Sequence, residues 1–512
     1  MKFYSAHQAQ QIDKTAIQQL GIPGILLMKR AAMAALQHIQ THYPHLKSLH
    51  IVCGIGNNGG DGYTLGQLAA MAGYQVALFQ LGPTHKIKGD ALTALHELVD
   101  CGLNPYPLTE KALADAELIV DAIFGIGLTR PVTEQFAEAI HLINRHAAQH
   151  QIPVLALDIP SGINATTGAK LNTAIQAHHT LSFIVPKLGL YQAEGKAHAG
   201  KIYHHDLFLN QQHPELIAQS PYLASDLQSL TPQLQQHWQQ RPANAHKGHY
   251  GTALLIGGDH NMMGAILLTG KACLTSGAGI TQIATRSDHL TAITQAQPEL
   301  MVFEADSQLA HLINHPPKAI GLGPGLGKNT WGRRLFQTLL PHLLKTDTPN
   351  PTHWVLDADA LNLLAETPPN PPLGHHIILT PHPAEAARLL NTSVQTIQTH
   401  RLQAITQLQQ TYGGIWILKG CGTLIHNGQQ SWLCTQGNAG MATGGMGDVL
   451  TGILTSLLAQ GLPPLEAAQL GVALHTQAAD QAIQTQNLPS LTPTDLIQQL
   501  KKIPQTKIPS PG

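Results

Sequence analysis

A chain of 512 residues with 43% hydrophobic and 12% charged side chains has enough apolar material for more than one core and no charge excess that would keep it disordered. Lys and Arg number 29 against 30 Asp and Glu, and the formal net charge of -1 excludes a broad basic face for nucleic acid or anionic membrane. The five cysteines (53, 101, 273, 421 and 434) are odd in number and far apart, which argues for free thiols in a reducing cytoplasm over a disulfide framework.

Taken in chain order, Met1 to Gln8 lacks the apolar run of a secretory signal, and no stretch reaches the ~20 apolar residues of a membrane span, so a cytoplasmic chain without membrane partners is expected. Ser5 is a plausible N-cap for a helix to Leu20, closed by Gly21, and a second helix is predicted over Ile25 to Ile39. Strand-like and helix-like segments then alternate: His50 to Cys53, Tyr63 to Ala72, Gln75 to Phe79, Leu118 to Ile123 and Pro153 to Leu157. Such alternation predicts an α/β unit with a parallel sheet. Gln, His, Pro and Ser dominate from Asn210 to Ala245, and a second alternating series follows: Thr252 to Ile256, Ala319 to Leu322, Trp354 to Leu356, Ile377 to Leu379 and Ile415 to Leu418. The expected organisation is a domain at 1–215, a linker at 216–240, a second domain at 241–503 and a loose tail at 504–512. The 31 histidines are scattered without a Cys/His ligand spacing, so no structural metal is expected from them.

In the first half Gly54, Gly56 and Gly59 satisfy G-x-G-x-x-G after a strand, a pattern that lets backbone approach a pyrophosphate at a helix start. A dinucleotide fold would carry an acidic residue about 20 positions on to hold the ribose, yet the second strand ends at Phe79-Gln80-Leu81-Gly82. That argues against hydride transfer. Two further post-strand loops, Asp121 to Pro131 and Asp158 to Gly162, should converge with the first. Oxygens from Asn58, Asp121 and Ser161 form a hard set with one formal charge, suited to a weakly held monovalent cation, and Asp158 is left to act as acid or base. Asp121 and Asp158 as simple turn caps are the bland alternative.

In the second half the run Gly437 to Asp448 precedes an apolar helix, so its amides form an anion hole and Asp448 can act on a hydroxyl lying against a bound phosphate. Four other loops follow apolar strands: Gly321 to Gly327, Asp357 to Asn362, Thr380 to Glu385 and Lys419 to Thr423.

The segments Gly54-Ile55-Gly56-Asn57-Asn58-Gly59-Gly60-Asp61-Gly62, Asp121-Ala122-Ile123-Phe124-Gly125-Ile126-Gly127 and Asp158-Ile159-Pro160-Ser161-Gly162 resemble the NAD(P)H-hydrate epimerase family. The resemblance implies a Rossmann-like three-layer fold. It also implies that Asn57, Asn58, Gly59, Gly60, Asp61, Gly125, Ile126, Gly127, Leu128, Thr129, Arg130, Pro131 and Asp158 hold a damaged nicotinamide nucleotide, with potassium on Asn58, Asp121 and Ser161 and Asp158 as catalyst. One departure lies at Leu27 to Ala32, where Glu and Gly are frequent in the family; it is expected to touch none of the three loops.

From His246-Lys247-Gly248 to the helix around His475 the chain resembles the ADP-dependent NAD(P)H-hydrate dehydratases, a ribokinase-like α/β family. This implies a nucleotide on Lys419, Gly420, Cys421, Gly422, Thr423 and Gly447, a hydrate on Ala265, Gly325, His382 and Asp448, with Asp448 as catalytic base, and magnesium on the polyphosphate. Met446 replaces a Thr found in many kinase relatives and removes one phosphate-binding hydroxyl. The function expected is repair of NADH-hydrate and NADPH-hydrate, with epimerisation of R and S forms followed by ADP-driven dehydration of the S form, in a homo-oligomer. A dehydrogenase fused to a vitamin or sugar kinase is the rival enzyme, disfavoured at Gln80; a non-catalytic scaffold is the rival from another class, disfavoured by the intact Asn58, Asp121, Asp158 and Ser161.

Overall fold

After the short strand Lys2–Phe3 (β1), apolar runs of the first half pair as parallel strands Ser48–Cys53 (β2), Gln75–Gln80 (β3), Leu118–Ala122 (β4), Val154–Leu157 (β5), His179–Phe183 (β6) and Lys201–His205 (β7), in the order β3-β2-β4-β5-β6-β7. The β4 run is buried throughout because its side chains enter two cores alternately. Leu118, Val120 and Ala122 face the core shared with helices Gly24–His42, Asn57–Met71 and Gly89–Asp100, while Ile119 faces the core shared with helix Glu134–His150. This is the three-layer Rossmann-like arrangement. Ala224–Asp226 (β8) pairs antiparallel with β1 through Phe3 and Ala224.

The second half forms another sheet from Thr252–Ile256 (β9), Ile280–Thr285 (β10), Met301–Glu304 (β11), Ala319–Leu322 (β12), His353–Leu356 (β13), Leu373–Leu379 (β14), Gly413–Leu418 (β15), Thr423–His426 (β16) and Ser431–Cys434 (β17). Strands β9 to β15 run parallel in the order β15-β14-β13-β12-β9-β10-β11, and β16 and β17 add antiparallel at the β15 edge. One face of this sheet is covered by helices Met263–Thr275, Met446–Ala459 and Pro464–Gln486, which share a core with Leu255, Val355 and Ile417.

This computed structural model describes all residues except 221, 231, 233–243, 308, 310–315, 346–350, 487–489 and 504–512. The chain divides into the units Met1–Ser225 and Asp226–Gly512. That division falls within the expected 216–240 linker, whose described part carries the end of helix Pro214–Gln219, β8 and the turn Leu227–Ser229; residues 221, 231 and 233–240 and the whole expected tail lie outside the described residues.

Several expectations need correction. Helix Asn57–Met71 starts six residues ahead of the expected Tyr63, because Gly56 in extended conformation begins the helix and the Asn-Asn-Gly-Gly-Asp run forms its first turns. Polar and glycine residues there read as loop, but burial of Asn58, Gly59 and Gly60 against neighbouring elements overrides their weak helix preference. Thr423, expected in a loop, opens β16. Strands β6, β7, β10, β11, β16 and β17 were not anticipated at all. Among the described residues no helix is long and apolar enough to cross a membrane, and all five cysteines are unpaired.

Candidate functional site

In the first sheet β2 lies between β3 and β4, so the chains leaving β2 and β4 part to opposite sides and open a crevice at the carboxyl edge. Their approach there is close enough to require glycine: a Cβ on Gly54 would lie 2.0 Å from the Ile123 carbonyl oxygen. A cavity of about 780 Å³ opens at this edge, lined among others by Asn57, Asn58, Asp61, the run from Gly125 to Pro131 and Asp158. All the substrate-holding residues expected for this half line it except Gly59 and Gly60, which are buried in the first turn of helix Asn57–Met71.

Asp121 is fully buried at the end of β4 and ties the loops together. Its Oδ1 accepts from Ser161 Oγ at 2.6 Å and the Ile123 amide at 3.2 Å, and its Oδ2 accepts from the Ser161 amide at 2.7 Å. Burial, only partly offset by these bonds, pushes its carboxyl up to about 6. Asn58 is 6% exposed, yet neither its Oδ1 nor its Nδ2 has a hydrogen-bond partner. A buried amide left unsatisfied is costly, so the Asn58 oxygen has a lone pair available to coordinate a cation. With the lone pair remaining on Asp121 Oδ2 and the Ser161 hydroxyl, the set fits a monovalent ion.

Asp158 sits after β5 with a positive φ of 66°, which turns its side chain back across the crevice. Its Oδ1 accepts from the Phe183 amide at 3.2 Å and from Lys187 Nζ. Lys187 is itself 2% exposed, and its ammonium uses its donors on Asp158, the Phe183 carbonyl at 2.5 Å and Ser182 Oγ at 3.3 Å. Oδ2 of Asp158 is left facing Gly125, 3.7 Å from where a Cβ on that glycine would stand. Asp13 and Asp61 also line the cavity. Burial and the charge of Asp158 raise both carboxyls, with Lys187 pulling the other way.

Sequence reasoning missed Lys187 and Asp13, since nothing local marks either as a partner of Asp158. It also placed Leu27 to Ala32 away from the loops. The structure corrects this: Leu27, Met28 and Ala31 line the cavity, and a Cβ on Gly60 would meet Met28 Cε at 2.6 Å.

In the second sheet the corresponding divergence lies between β9 and β12, where a Cβ on Gly257 would lie 2.1 Å from the Pro324 carbonyl oxygen. Gly325 follows with a positive φ of 59°; a Cβ there would lie 3.3 Å from Ala265 Cβ, so these two expected residues meet. Of the other expected residues, Lys419, Gly447, His382 and Asp448 lie around Asp357, which is 1% exposed at the end of β13. Asp357 Oδ1 accepts from Lys419 Nζ at 2.7 Å and Thr380 Oγ1 at 2.8 Å, and Oδ2 accepts from Thr451 Oγ1 at 2.8 Å. A Cβ on Gly447 would lie 3.2 Å from Lys419 Nζ, which leaves the start of helix Met446–Ala459 open beside the ammonium.

Asp448 stands in the first turn of that helix. Burial and the negative charge of Asp357, opposed by Lys419, push its carboxyl up to about 7. Glu385 is also raised to about 7, by burial and Asp357 against Lys419. His382 caps helix Pro383–Leu389: its Nδ1 accepts from the Ala384 amide at 3.1 Å, so Nε2 carries the proton and lies 3.3 Å from Glu385 Oε1. Arg401, 1% exposed, donates through Nη2 to the carbonyls of Leu418, Lys419 and Gly422 at 3.1–3.3 Å and so shapes the Lys419 to Thr423 loop. Cys421 is exposed on that loop. Glu385 and Arg401 had no assigned role from sequence. Met446 is buried in the core of this unit.

The molecule is therefore an α/β protein of two units with a separate crevice at the carboxyl edge of each parallel sheet, one built around an aspartate–lysine pair, the other around a lysine, carboxylates and a glycine-opened helix start. Residues 25–189 match a family model described as the YjeF-related protein N-terminus, and residues 253–502 one described as NAD(P)H-hydrate dehydratase. The chain is 39% identical over 501 residues to the bifunctional NAD(P)H-hydrate repair enzyme Nnr of Coxiella burnetii, covering 97% of this chain and 98% of that one. It is 36% identical over 493 residues to the enzyme of the same name from Escherichia coli, covering 96% and 92%. A solved structure of the ADP/ATP-dependent NAD(P)H-hydrate dehydratase from Bacillus subtilis, co-crystallised with ATP and Mg2+, aligns with TM-score 0.46 and 29% identity over 52% of this chain and 95% of that chain. The chain belongs to the family of bifunctional NAD(P)H-hydrate repair enzymes.

Proposed function

We propose that the Met1–Ser225 unit interconverts the R and S hydrates of NADH and NADPH, and that the Asp226–Gly512 unit dehydrates the S form with ADP, giving AMP and phosphate. The observation that carries this assignment is the contrast between the crevices: Asp158 faces its cavity held by the buried Lys187, whereas Asp448 stands at an open helix start next to Lys419.

In the first crevice the start of helix Asn57–Met71 and the Gly125 to Pro131 loop receive the pyrophosphate and ribose, while Lys187 positions Asp158 so that Oδ2 moves a proton at the hydrated ring. Lys187 is a positioning residue here. Potassium would be held by Asn58, Asp121 and Ser161, where it supplies positive charge beside the phosphate-binding helix start.

In the second crevice Lys419, Gly420, Cys421, Gly422, Thr423 and Gly447 hold the nucleotide and Ala265, Gly325, His382 and Asp448 the hydrate. Asp448 removes the hydroxyl proton as that oxygen attacks the terminal phosphorus of ADP, and the bond to AMP breaks. The electron pair of the ring nitrogen then expels phosphate, and loss of the adjacent C–H proton restores the dihydropyridine ring. Asp357, Glu385 and Asp448 concentrate negative charge around one lysine, a donor environment that fits magnesium carried on the polyphosphate. We place the enzyme in the cytoplasm on its five unpaired cysteines and as a homo-oligomer, which light scattering of the purified chain tests. The activity test is incubation of purified (S)-NADH-hydrate with ADP and magnesium. One AMP and one phosphate per NADH formed supports the proposal, and a stable phosphorylated product overturns it.

A further inference from the structure

We propose that His260, Asp288 and His289 form a binding site for a divalent transition-metal ion such as zinc or cobalt, at the carboxyl ends of β9 and β10. His260 lies in the loop after β9. Asp288 and His289 belong to the turn Ser287–His289 that follows β10. Their potential ligand atoms all lie within 4.8 Å of one another, with His260 Nδ1 3.2 Å from Asp288 Oδ2 and His289 Nε2 3.9 Å from Asp288 Oδ1.

Two imidazoles and one carboxylate make a donor set that favours zinc, cobalt or nickel over magnesium, which prefers oxygen and resists dehydration. The orientation of His289 is set from behind. Thr285 Oγ1 gives its proton to the Gly258 carbonyl at 2.8 Å, so it can only accept from His289 Nδ1 at 3.4 Å. The Nδ1 proton is thereby fixed, and the Nε2 lone pair is turned toward Asp288, the arrangement that orients metal-binding histidines. His260 and Asp288 are 58% and 57% exposed while His289 is 10% exposed, so an ion can enter from solvent and keep water in its remaining positions.

The two loops are already tied beneath this cluster. Asp259, adjacent to His260, is buried and accepts from Arg286 Nε at 2.7 Å, and its amide donates to the Gly325 carbonyl at 2.6 Å. An ion joining His260 to Asp288 would therefore clasp the end of β10 to that of β9, the strand next to β12, which leads into Gly325. The ligands are separated by 28 positions (288 − 260) in sequence, which is why no ligand spacing is visible there.

The test is titration of the chelator-treated full chain with cobalt and, separately, zinc, without nucleotide, following the visible cobalt absorption and the calorimetric stoichiometry. Wild type should bind one more ion per chain than His260→Ala, and Asp288→Asn should weaken that ion at least about tenfold, with excess magnesium failing to compete. Both substituted side chains are exposed, and an unchanged circular dichroism spectrum and thermal unfolding profile check folding. Equal stoichiometry and affinity in wild type and His260→Ala would overturn the proposal and leave a surface His260–Asp288 ion pair only. Metal binding is read without hydrate or ADP, so this outcome is independent of the proposed activity.

Discussion

The chemistry of each crevice turns on one carboxylate whose neighbours decide its state. Asp448 is raised to about 7 by burial and by Asp357, so it gains the deprotonated form needed in a base only as pH rises through that value. Dehydration of the S hydrate under saturating ADP should therefore fall as pH is lowered through about 7, and Asp448→Asn should reduce kcat by about 10² or more without affecting epimerisation. The same raised value means that this group favours the folded state most at low pH, and that its contribution is lost as pH rises through about 7. In the first unit, Lys187→Met leaves Asp158 without its ammonium, and epimerisation should drop by about 10² while dehydration of pure S hydrate is unchanged, measured by chromatography of the two epimers. Asp121, raised to about 6, must be ionised to hold a cation. Thermal stabilisation by potassium relative to a bulky organic cation should thus shrink as pH falls through about 6, and Asp121→Asn should remove it; equal stabilisation at all pH values would count against the site.

The sheet edges place these side chains, and their glycines carry distinct loads. Gly54 cannot accept a Cβ because the Ile123 carbonyl stands 2.0 Å away, whereas Gly56 has no atom within 4 Å. Gly54→Ala should abolish epimerase activity through loss of the crevice, whereas Gly56→Ala should leave the unit folded and raise the KM for the hydrate, because Gly56 lines the cavity at the helix start; dehydration of S hydrate should survive in both, and the comparison is read from the two activities of each variant. Strands such as β9 and β12 were legible in the sequence to the residue because they are short, apolar, buried runs. The start of helix Asn57–Met71 was not, because its asparagines and glycines are turn residues by local preference and become helical by packing. The antiparallel strands β16 and β17 escaped notice for a related reason: their burial arises from a sheet edge that local pattern does not reveal.

Across the whole molecule, the loops expected to hold ligands do fall at the carboxyl edges of the two sheets, since glycine-rich turns and post-strand aspartates report local backbone needs that the sequence carries openly. The partners that tune them do not: Lys187 reaches Asp158 across 29 positions (187 − 158), and Asp357 reaches Lys419 across 62, distances that only the folded sheets close. Two complementary activities in one chain have a direct chemical sense, because hydration yields both epimers and a dehydratase specific for one leaves the other unused. The most direct measurement is recovery of reduced-nicotinamide absorbance from a mixed R and S NADH-hydrate preparation with ADP, magnesium and potassium, comparing wild type, Asp158→Ala and Asp448→Ala. The account predicts complete recovery by wild type, none by Asp448→Ala, and by Asp158→Ala rapid recovery of the S share alone followed only by slow spontaneous epimerisation. Rapid, complete recovery by Asp158→Ala, or undiminished recovery by Asp448→Ala, would contradict it.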